Sequence, residues 1–387
     1  YILPSEREVE IEYVDDIKWP DGTPMTMFLT NDPAVINDKG RIWLYYGWGL
    51  GRDFRSKLMA PLYNMVMSKI FSRSISEIRS TIPSIMSCAV VEMEDDMITV
   101  KGSPKAVLDS KTTAPQGSIL YYHAFYEAPS IRKFGDISNL VYSSGENNEL
   151  AYATSKYPDH GFEYRGVIIS NSDLGLNGNT RARYPAGTIH GGIECINDKY
   201  YVFYHRSTHN TDFSRQTCAE EIKILPDGTI KQVEITSCGL NDGPLIGKGT
   251  YPAAICCNLY GSQDYKLGNK SGLKYPRIIE ENNQVFIHDI CDGTVIGYKY
   301  FDFIGDEKIT LTLRGKAEGT LEVYGQKVPT EGHSSLEEAS LIGSMTIVIS
   351  KEWYRNELDV ILPKGRTAIY FKYRGPGKFD LLEIEFS

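Results

Sequence analysis

No run of 18 apolar residues occurs in the 387-residue chain, so no segment is long enough for a helix that crosses a bilayer. Residues 1–10, YILPSEREVE, hold neither a basic start nor an apolar stretch, so no secretory leader is legible there. The seven cysteines form no C-x-x-C pair, which leaves out the common zinc and dithiol patterns. A chain of this length needs no disulfide staple, and the seven read as mostly buried free thiols. Positive charge is in deficit: 41 Lys and Arg against 50 Asp and Glu give a formal net charge of −9. That balance argues against nucleic acid or an anionic membrane as the main partner. Free thiols favour the cytoplasm, whereas a leader removed from a longer precursor would favour secretion, and the sequence leaves both open.

Aromatic usage is uneven, with 26 Tyr against 14 Phe and 4 Trp. Tyrosine at this level suits half-buried strand faces and surfaces that stack on sugar rings. One pattern recurs: a short apolar strand, a polar turn, then a strand dense in aromatics. It occurs at 35–47 (VINDKGRIWLYYG), 131–144 (IRKFGDISNLVYSS) and 194–206 (ECINDKYYVFYHR). The turns fall on Asp38-Lys39-Gly40, Gly135-Asp136 and Asn197-Asp198, residue types that tolerate the left-handed backbone of a tight hairpin. Further strands follow each hairpin. A meander of about four strands, repeated roughly every 50 residues, reads as blades of a β-propeller. The competing reading is a β-sandwich with repetitive hairpins.

The segment 52–85 breaks the β pattern. Leu58, Leu62, Met65, Val66 and Ile70 fall at helical spacing. Arg52, Arg55, Lys57, Lys69, Arg73 and Arg79 outnumber Asp53 and Glu77 by four. An inserted helix packed on its own blade is expected, with membrane or partner contact as the alternative. Residues 261–273 are polar and aperiodic and read as a linker. Some eight short strands in 274–387 fit a jelly-roll sandwich with no concentrated acid pair, suited to binding or support. The expected fold class is thus all-β: part of a propeller over 1–260 with a helical insertion at 52–85, then the sandwich.

A propeller gathers the first strands of its blades around a central channel, so polar residues at those strand starts are the candidates for chemistry. They are Asp32 in TNDPAVIND (30–38), Glu127 in FYEAPSIRKFGD (125–136) and His190 in GTIHGGIECIND (187–198). All three sit at a similar offset from their hairpins. Asp32 and Glu127 make a carboxylate pair, the minimum for protonating a glycosidic oxygen and tuning that acid. Taken singly, each has a plain structural reading: a turn starter before Pro33, a satisfied core carboxylate, a histidine beside glycine.

The stretch Glu127–Ser130 with Ile131, Arg132 and Lys133, then VYSS (141–144), ELAYATSKYP (149–158) and FEYRGVIIS (162–170), resembles glycoside hydrolase family 43. So do HGGIECINDKYYVFYHR (190–206), FSRQTCAEEI with PDGTI (213–230), and the Asp32 region with DPAV, NDKG and WLYYG. The matches span 20–258 in the family's order. IHDICDGTVIGYKYFDF (287–303) is similar to the family 6 carbohydrate-binding sandwich. The resemblance implies a five-bladed propeller and roles for individual residues. Glu127 matches the general acid, and Asp32 the aspartate that orients that acid and keeps it protonated. His190 matches a channel histidine under the sugar, near water or a bound calcium. Arg215 matches an arginine that reaches a sugar hydroxyl or the acid, a task suited to its fixed fork of donors; its plain alternative is a blade-edge ion pair. No cofactor is required, and a structural Ca2+ near His190 is the one metal implied.

The family's general base lies in an earlier blade that this sequence does not show, and three blades are recognisable where five are expected. Three explanations meet that shortfall. The favoured one is that the first blades lie on a preceding segment or a second chain. In another, Asp32 is itself the base, with Glu94, Asp95, Asp96 or Asp109 as its partner in tuning the acid. In the last, the protein binds carbohydrate without turnover. The leading expectation is an inverting, exo-acting glycosidase that removes terminal α-L-arabinofuranose or β-D-xylose from plant cell-wall oligosaccharides.

Overall fold

A computed structural model describes residues 21, 23, 32–49, 60–79, 87–145, 148–185, 187–209, 211, 213–261 and 276–387. These residues divide into two compact units. The first takes in the chain through Ile168, with His190–Tyr200 and Lys223–Lys231. The second comprises Ile169–Ile189, Tyr201–Ile222 and Gln232–Ser387.

The first unit contains two antiparallel four-stranded sheets, each laid down in chain order. Ala34–Asp38, Arg41–Tyr46, Ser87–Met93 and Val100–Asp109 form one; Phe125–Phe134, Ile137–Ser144, Glu149–Ser155 and Glu163–Ser170 form the other. The turn residues explain the hairpins. Lys39 and Gly40 both hold positive φ (55° and 83°), as do Asn197 and Asp198 (50° and 62°). Two left-handed residues in succession define the type I′ turn, whose twist matches that of paired strands. Gly135 alone is left-handed in its turn (φ 59°), the type II′ variant.

Alternation then assigns the faces. From Arg41–Tyr46, Trp43 and Tyr45 join Phe125, Ile131, Leu140 and Tyr142 in a buried cluster between the two sheets. Leu44 and Tyr46 face the other way, onto Ala89, Val91 and Met93. Each such side chain, fully buried, contributes about 1.5–3 kcal/mol. The third hairpin places Gly191–Ile196 before its Asn197-Asp198 turn.

The helix in the insertion is Ala60–Phe71, but its packing differs from expectation. Leu62, Met65, Val66 and Ile70 are all exposed, and the one fully buried residue is Asn64. The spacing marked a real stripe on the wrong side: Tyr63, Met67 and Phe71 are apolar too, so the pattern alone does not say which face turns inward. Leu58 lies outside the described residues. All seven cysteines are free; Cys88, Cys256 and Cys257 are buried and Cys195 is exposed.

In the second unit, two six-stranded sheets take up the C-terminal strands. One runs Leu245–Ile246, Val295–Phe303, Gly365–Arg374, Gly319–Lys327, Ser340–Ile347, with Asn258–Tyr260 also paired to Val295–Phe303. The other runs Arg277–Glu281, Gln284–Ile290, Gly377–Phe386, Asp306–Ala317, Ser350–Ile361, with Gly249–Pro252 paired to Gly377–Phe386. Three short strands from 245–260 therefore belong to the sandwich sheets.

A buried polar network fixes this unit. The Lys299 ammonium lies 2.8 Å from Glu234 and 3.7 Å from Asp173, all three almost wholly enclosed. Tyr300 O–H and the Ser334 N–H donate to Glu234, and the Ile235 N–H donates to Asp173. Lys299 holds Glu234 low, whereas burial outweighs that attraction at Asp173 and raises it. Nearby, Glu220 accepts from Tyr204 O–H, Thr236 N–H and Thr236 O–H. Burial nevertheless pushes its carboxyl up to about 8.

A raised acid makes folding take up a proton. Between the unfolded value near 4.5 and about 8, native Glu220 keeps a proton that the unfolded chain has lost. Stability should therefore fall as pH rises through that window, at up to about 1.4 kcal/mol per unit. Asp173 and His333, both raised, add slope of the same sign. Glu220→Gln can still accept from Tyr204 and donate to Thr236, so it should flatten the decline between pH 5 and 8. Calorimetric melting at several pH values checks this, and an unchanged slope would remove Glu220 as its source.

Candidate active site

Three strand starts of the first unit converge. Asp32 stands just before Ala34–Asp38, Glu127 lies in Phe125–Phe134, and His190 immediately precedes Gly191–Ile196. One ligand atom from each lies within 4.8 Å of the others. His190 Nε2 is 2.9 Å from Glu127 Oε1, so the imidazole and the carboxyl share a hydrogen bond whose direction follows their protonation. Asp32 is exposed, while Glu127 and His190 keep 18% and 26% of their side-chain surface.

Local irregularity aims Glu127. Its strand pairs Phe125 with Ser144, Glu127 with Ser143 and Ser130 with Val141, so an extra residue is inserted on either side of Glu127. Such bulges break the in-out alternation and re-aim a side chain. Ala128 adopts φ 55° and Asp32 φ 54°. The left-handed region is uncommon for any residue with a Cβ and costs of order 1–3 kcal/mol when alanine is held there. Two such residues flank or form the site.

Close backbone approach brings His190 to Glu127. A Cβ on Gly192 would lie 2.3 Å from Ser130 Oγ and 3.2 Å from Ser130 Cβ. A side chain at 192 would force Ser130 to shift, so the bare glycine suits the close approach of the strand after His190 to the strand of Glu127. Around it, Arg132 pairs with Glu194 at 3.0 Å, Lys133 with Asp38 at 2.6 Å, and Phe134 packs edge-on against Tyr200.

Of the other candidates, Arg215 belongs to the second unit, at the exposed start of Arg215–Ile222. Asp96 is committed to its own turn, where it accepts from Ile98 N–H, Thr99 N–H and Thr99 O–H. The turn of Glu94, Asp95 and Asp96 lies next to the Met93–Ile42 pair, at the hairpin end of the sheet opposite Asp32. Those three carboxylates are thereby removed as partners of Asp32. Ser130, Ala128 and Gly192 lay within quoted motifs, but their structural roles were not legible, because bulges and close approaches depend on pairing between distant segments.

The spacing limits the chemistry. Inverting glycosidases hold acid and base about 6.5–9.5 Å apart to seat a water, and retaining enzymes hold acid and nucleophile about 5–5.5 Å apart. Asp32 and Glu127 are too close to be the acid and base of inversion. They make a close carboxylate pair beside one imidazole. As a cation site the trio offers two carboxylates and one imidazole, whereas calcium takes six to eight oxygens. A calcium held here would keep most of its shell as water.

The chain is 40% identical over 363 residues to a xylosidase/arabinosidase of Thermoclostridium stercorarium, a match covering 90% of this chain and 68% of the relative. A β-xylosidase of Xylanibacter ruminicola is 24% identical over 221 residues, 56% of this chain and 61% of its own. A xylosidase/arabinosidase of Bacteroides ovatus is 28% identical over 224 residues, with the same shares. The chain thus spans roughly two thirds or less of the length of these curated relatives. No protein-family model matches it. Among solved structures, a glycoside hydrolase family 43 arabinoxylan arabinofuranohydrolase from Bacillus subtilis aligns with 95% of this chain and 71% of its own, at 18% identity and TM-score 0.41. A family 6 carbohydrate-binding module from Clostridium stercorarium, in complex with cellobiose, aligns with 38% of this chain and 98% of its own, at 16% identity and TM-score 0.29. Superpositions this loose add nothing to the geometry above.

The Gly192–Ser130 contact is directly testable. Gly192→Ala should cost about 1–3 kcal/mol by overpacking. Adding Ser130→Ala removes the oxygen at 2.3 Å and should recover a large part of that loss. Thermal unfolding of the single and double variants decides it; equal stability of Gly192→Ala and the parent would mean the strands are not held this close.

Proposed function

The chain belongs to glycoside hydrolase family 43, and from that premise we propose that it releases a terminal α-L-arabinofuranose or β-D-xylose from plant cell-wall oligosaccharides with inversion of configuration. The observation that carries this reading is the convergence of Asp32, Glu127 and His190 from three strand starts within 4.8 Å. Glu127 is the general acid that protonates the leaving oxygen. Asp32 is the neighbouring carboxylate that orients it. His190 fixes the acid's rotamer through their 2.9 Å hydrogen bond. Arg215 is a substrate-binding residue on this reading. The base that activates water comes from a carboxylate outside the described residues, on a preceding segment or a second chain.

On the same reading the four-stranded sheets are propeller blades, residues 1–260 are the catalytic portion, and 274–387 are a carbohydrate-binding sandwich. No cofactor takes part in the chemistry. The water-rich calcium that the trio can accept lies near His190 and has no step assigned to it.

Two experiments test the assignment. Glu127→Gln should lower turnover of natural oligosaccharides by about 10²–10⁴-fold, the usual worth of a positioned acid. Its effect should be far smaller on an aryl pentoside with a strongly acidic leaving group, which needs no proton. A variant as active as the parent on the natural substrate would rule Glu127 out as the acid. Separately, proton NMR of the first-formed sugar should show the inverted anomer. Retention would instead make Asp32 a nucleophile, the role its short spacing to Glu127 would then fit. Sugar binding without any released pentose would favour a binding protein over an enzyme.

A further inference from the structure

We propose that Trp48 and Tyr126 form the stacking platform for the sugar on the leaving-group side of the scissile bond, an assignment that rests on the glycosidase reading above. Trp48 follows Arg41–Tyr46, whose pairing with Ala34–Asp38 matches Ala34 with Tyr45. Carried two pairs further toward the site, that register sets Gly47 opposite Asp32, so Trp48, the next residue, lies at the same sheet end as Asp32. Its ring lies 6.3 Å from that of Tyr126, tilted by 53°. Tyr126 directly precedes Glu127, and the residue inserted between Phe125 and Glu127 breaks the alternation that would send neighbours to opposite faces.

The placement is built into the backbone. The Gly49 N–H donates to Tyr126 O at 2.5 Å. A Cβ at residue 49 would sit 2.2 Å from Phe125 O and 2.9 Å from Ser110 Cβ, so only glycine lets the Trp48 segment close on the strand of the acid. Neither ring is spent on the core: both are half-buried, and neither joins the cluster of Trp43, Tyr45, Phe125 and Tyr142 beneath them. Asp32 is the exposed member of the trio, so the cluster opens to water on its side. The released pentose belongs with the enclosed His190 and Glu127, and the leaving group belongs at the Asp32 mouth, where the aromatic pair stands. An indole face matched to the apolar face of a pyranose adds affinity there without touching the reacting atoms.

The test compares the full chain with Trp48→Ala and Trp48→Phe on two substrates, a xylo- or arabino-oligosaccharide and a pentosyl fluoride whose leaving group is too small to reach the platform. Trp48→Ala should lose about tenfold in kcat/KM on the oligosaccharide, mostly through KM, and several-fold less on the fluoride. Trp48→Phe should recover most of the loss. Equal losses on both substrates, or none on the oligosaccharide, would overturn the platform. If the parent protein hydrolyses neither substrate even with the segment or chain that supplies the base, the glycosidase reading fails on its own, and calorimetric titration with the oligosaccharide then decides the platform. An affinity lowered about tenfold in Trp48→Ala supports it, and an unchanged titration overturns it.

Discussion

The site depends on one steric constraint: strand Gly191–Ile196 lies so close to strand Phe125–Phe134 that a Cβ at position 192 would displace Ser130. That contact sets the distance between the residue before one strand and a residue inside the other, which is to say between His190 and Glu127. The Arg132–Glu194 and Lys133–Asp38 pairs then join the same neighbouring strands toward their hairpin ends. Partly exposed pairs of this kind contribute little to stability singly. Their effect is on register, since each joins segments far apart in sequence. The apolar cluster of Trp43, Tyr45, Phe125, Ile131, Leu140 and Tyr142 supplies the energy that keeps an irregular, left-handed stretch at Ala128 in place.

The second unit solves a different problem. Its segments 169–189 and 232–260 must be tied to sheet strands that come later in the chain. Short strands do part of this, as Gly249–Pro252 pairs with Gly377–Phe386 and Asn258–Tyr260 with Val295–Phe303. The rest falls to Lys299, enclosed between Glu234 and Asp173. Removing one member of a buried pair is far costlier than never having had it, because the remaining charge is left without a partner. The network therefore acts as a check on assembly: Glu234, Ser334, Tyr300 and Tyr370 satisfy one another only when all their segments are correctly seated.

Much of this was legible in the sequence, for reasons that differ by feature. The hairpins at 38–41, 134–137 and 197–198 were readable because Asp, Asn and Gly mark left-handed turns directly. The sandwich strands were readable because alternation is a local signal. Asp32, Glu127 and His190 were readable as a set because they share an offset from repeated hairpins, and that offset is what brings them together. Features that depend on contacts between segments were not readable. The bulges at Glu127, the Ser130–Gly192 contact and the outward turn of Leu62, Met65, Val66 and Ile70 all require knowing what lies opposite. The short strands of 245–260 were missed for the same reason: their partners come from the far end of the chain.

The carboxylate spacing has a consequence for how such a site is completed. Asp32 and Glu127, within 4.8 Å, cannot flank a sugar and a water at once. On the glycosidase reading proposed above, they would stand together on one side of the scissile bond. Inversion requires a second group on the opposite face of the ring, several ångströms further off. Each of the three groups seen so far enters from the start of a strand that runs into a tight polar hairpin. A base built by the same rule would stand at the start of another such hairpin, and its carboxylate would face the trio across the sugar. What these residues define is therefore a tight cluster of two carboxylates and one imidazole, drawn together by the starts of three strands.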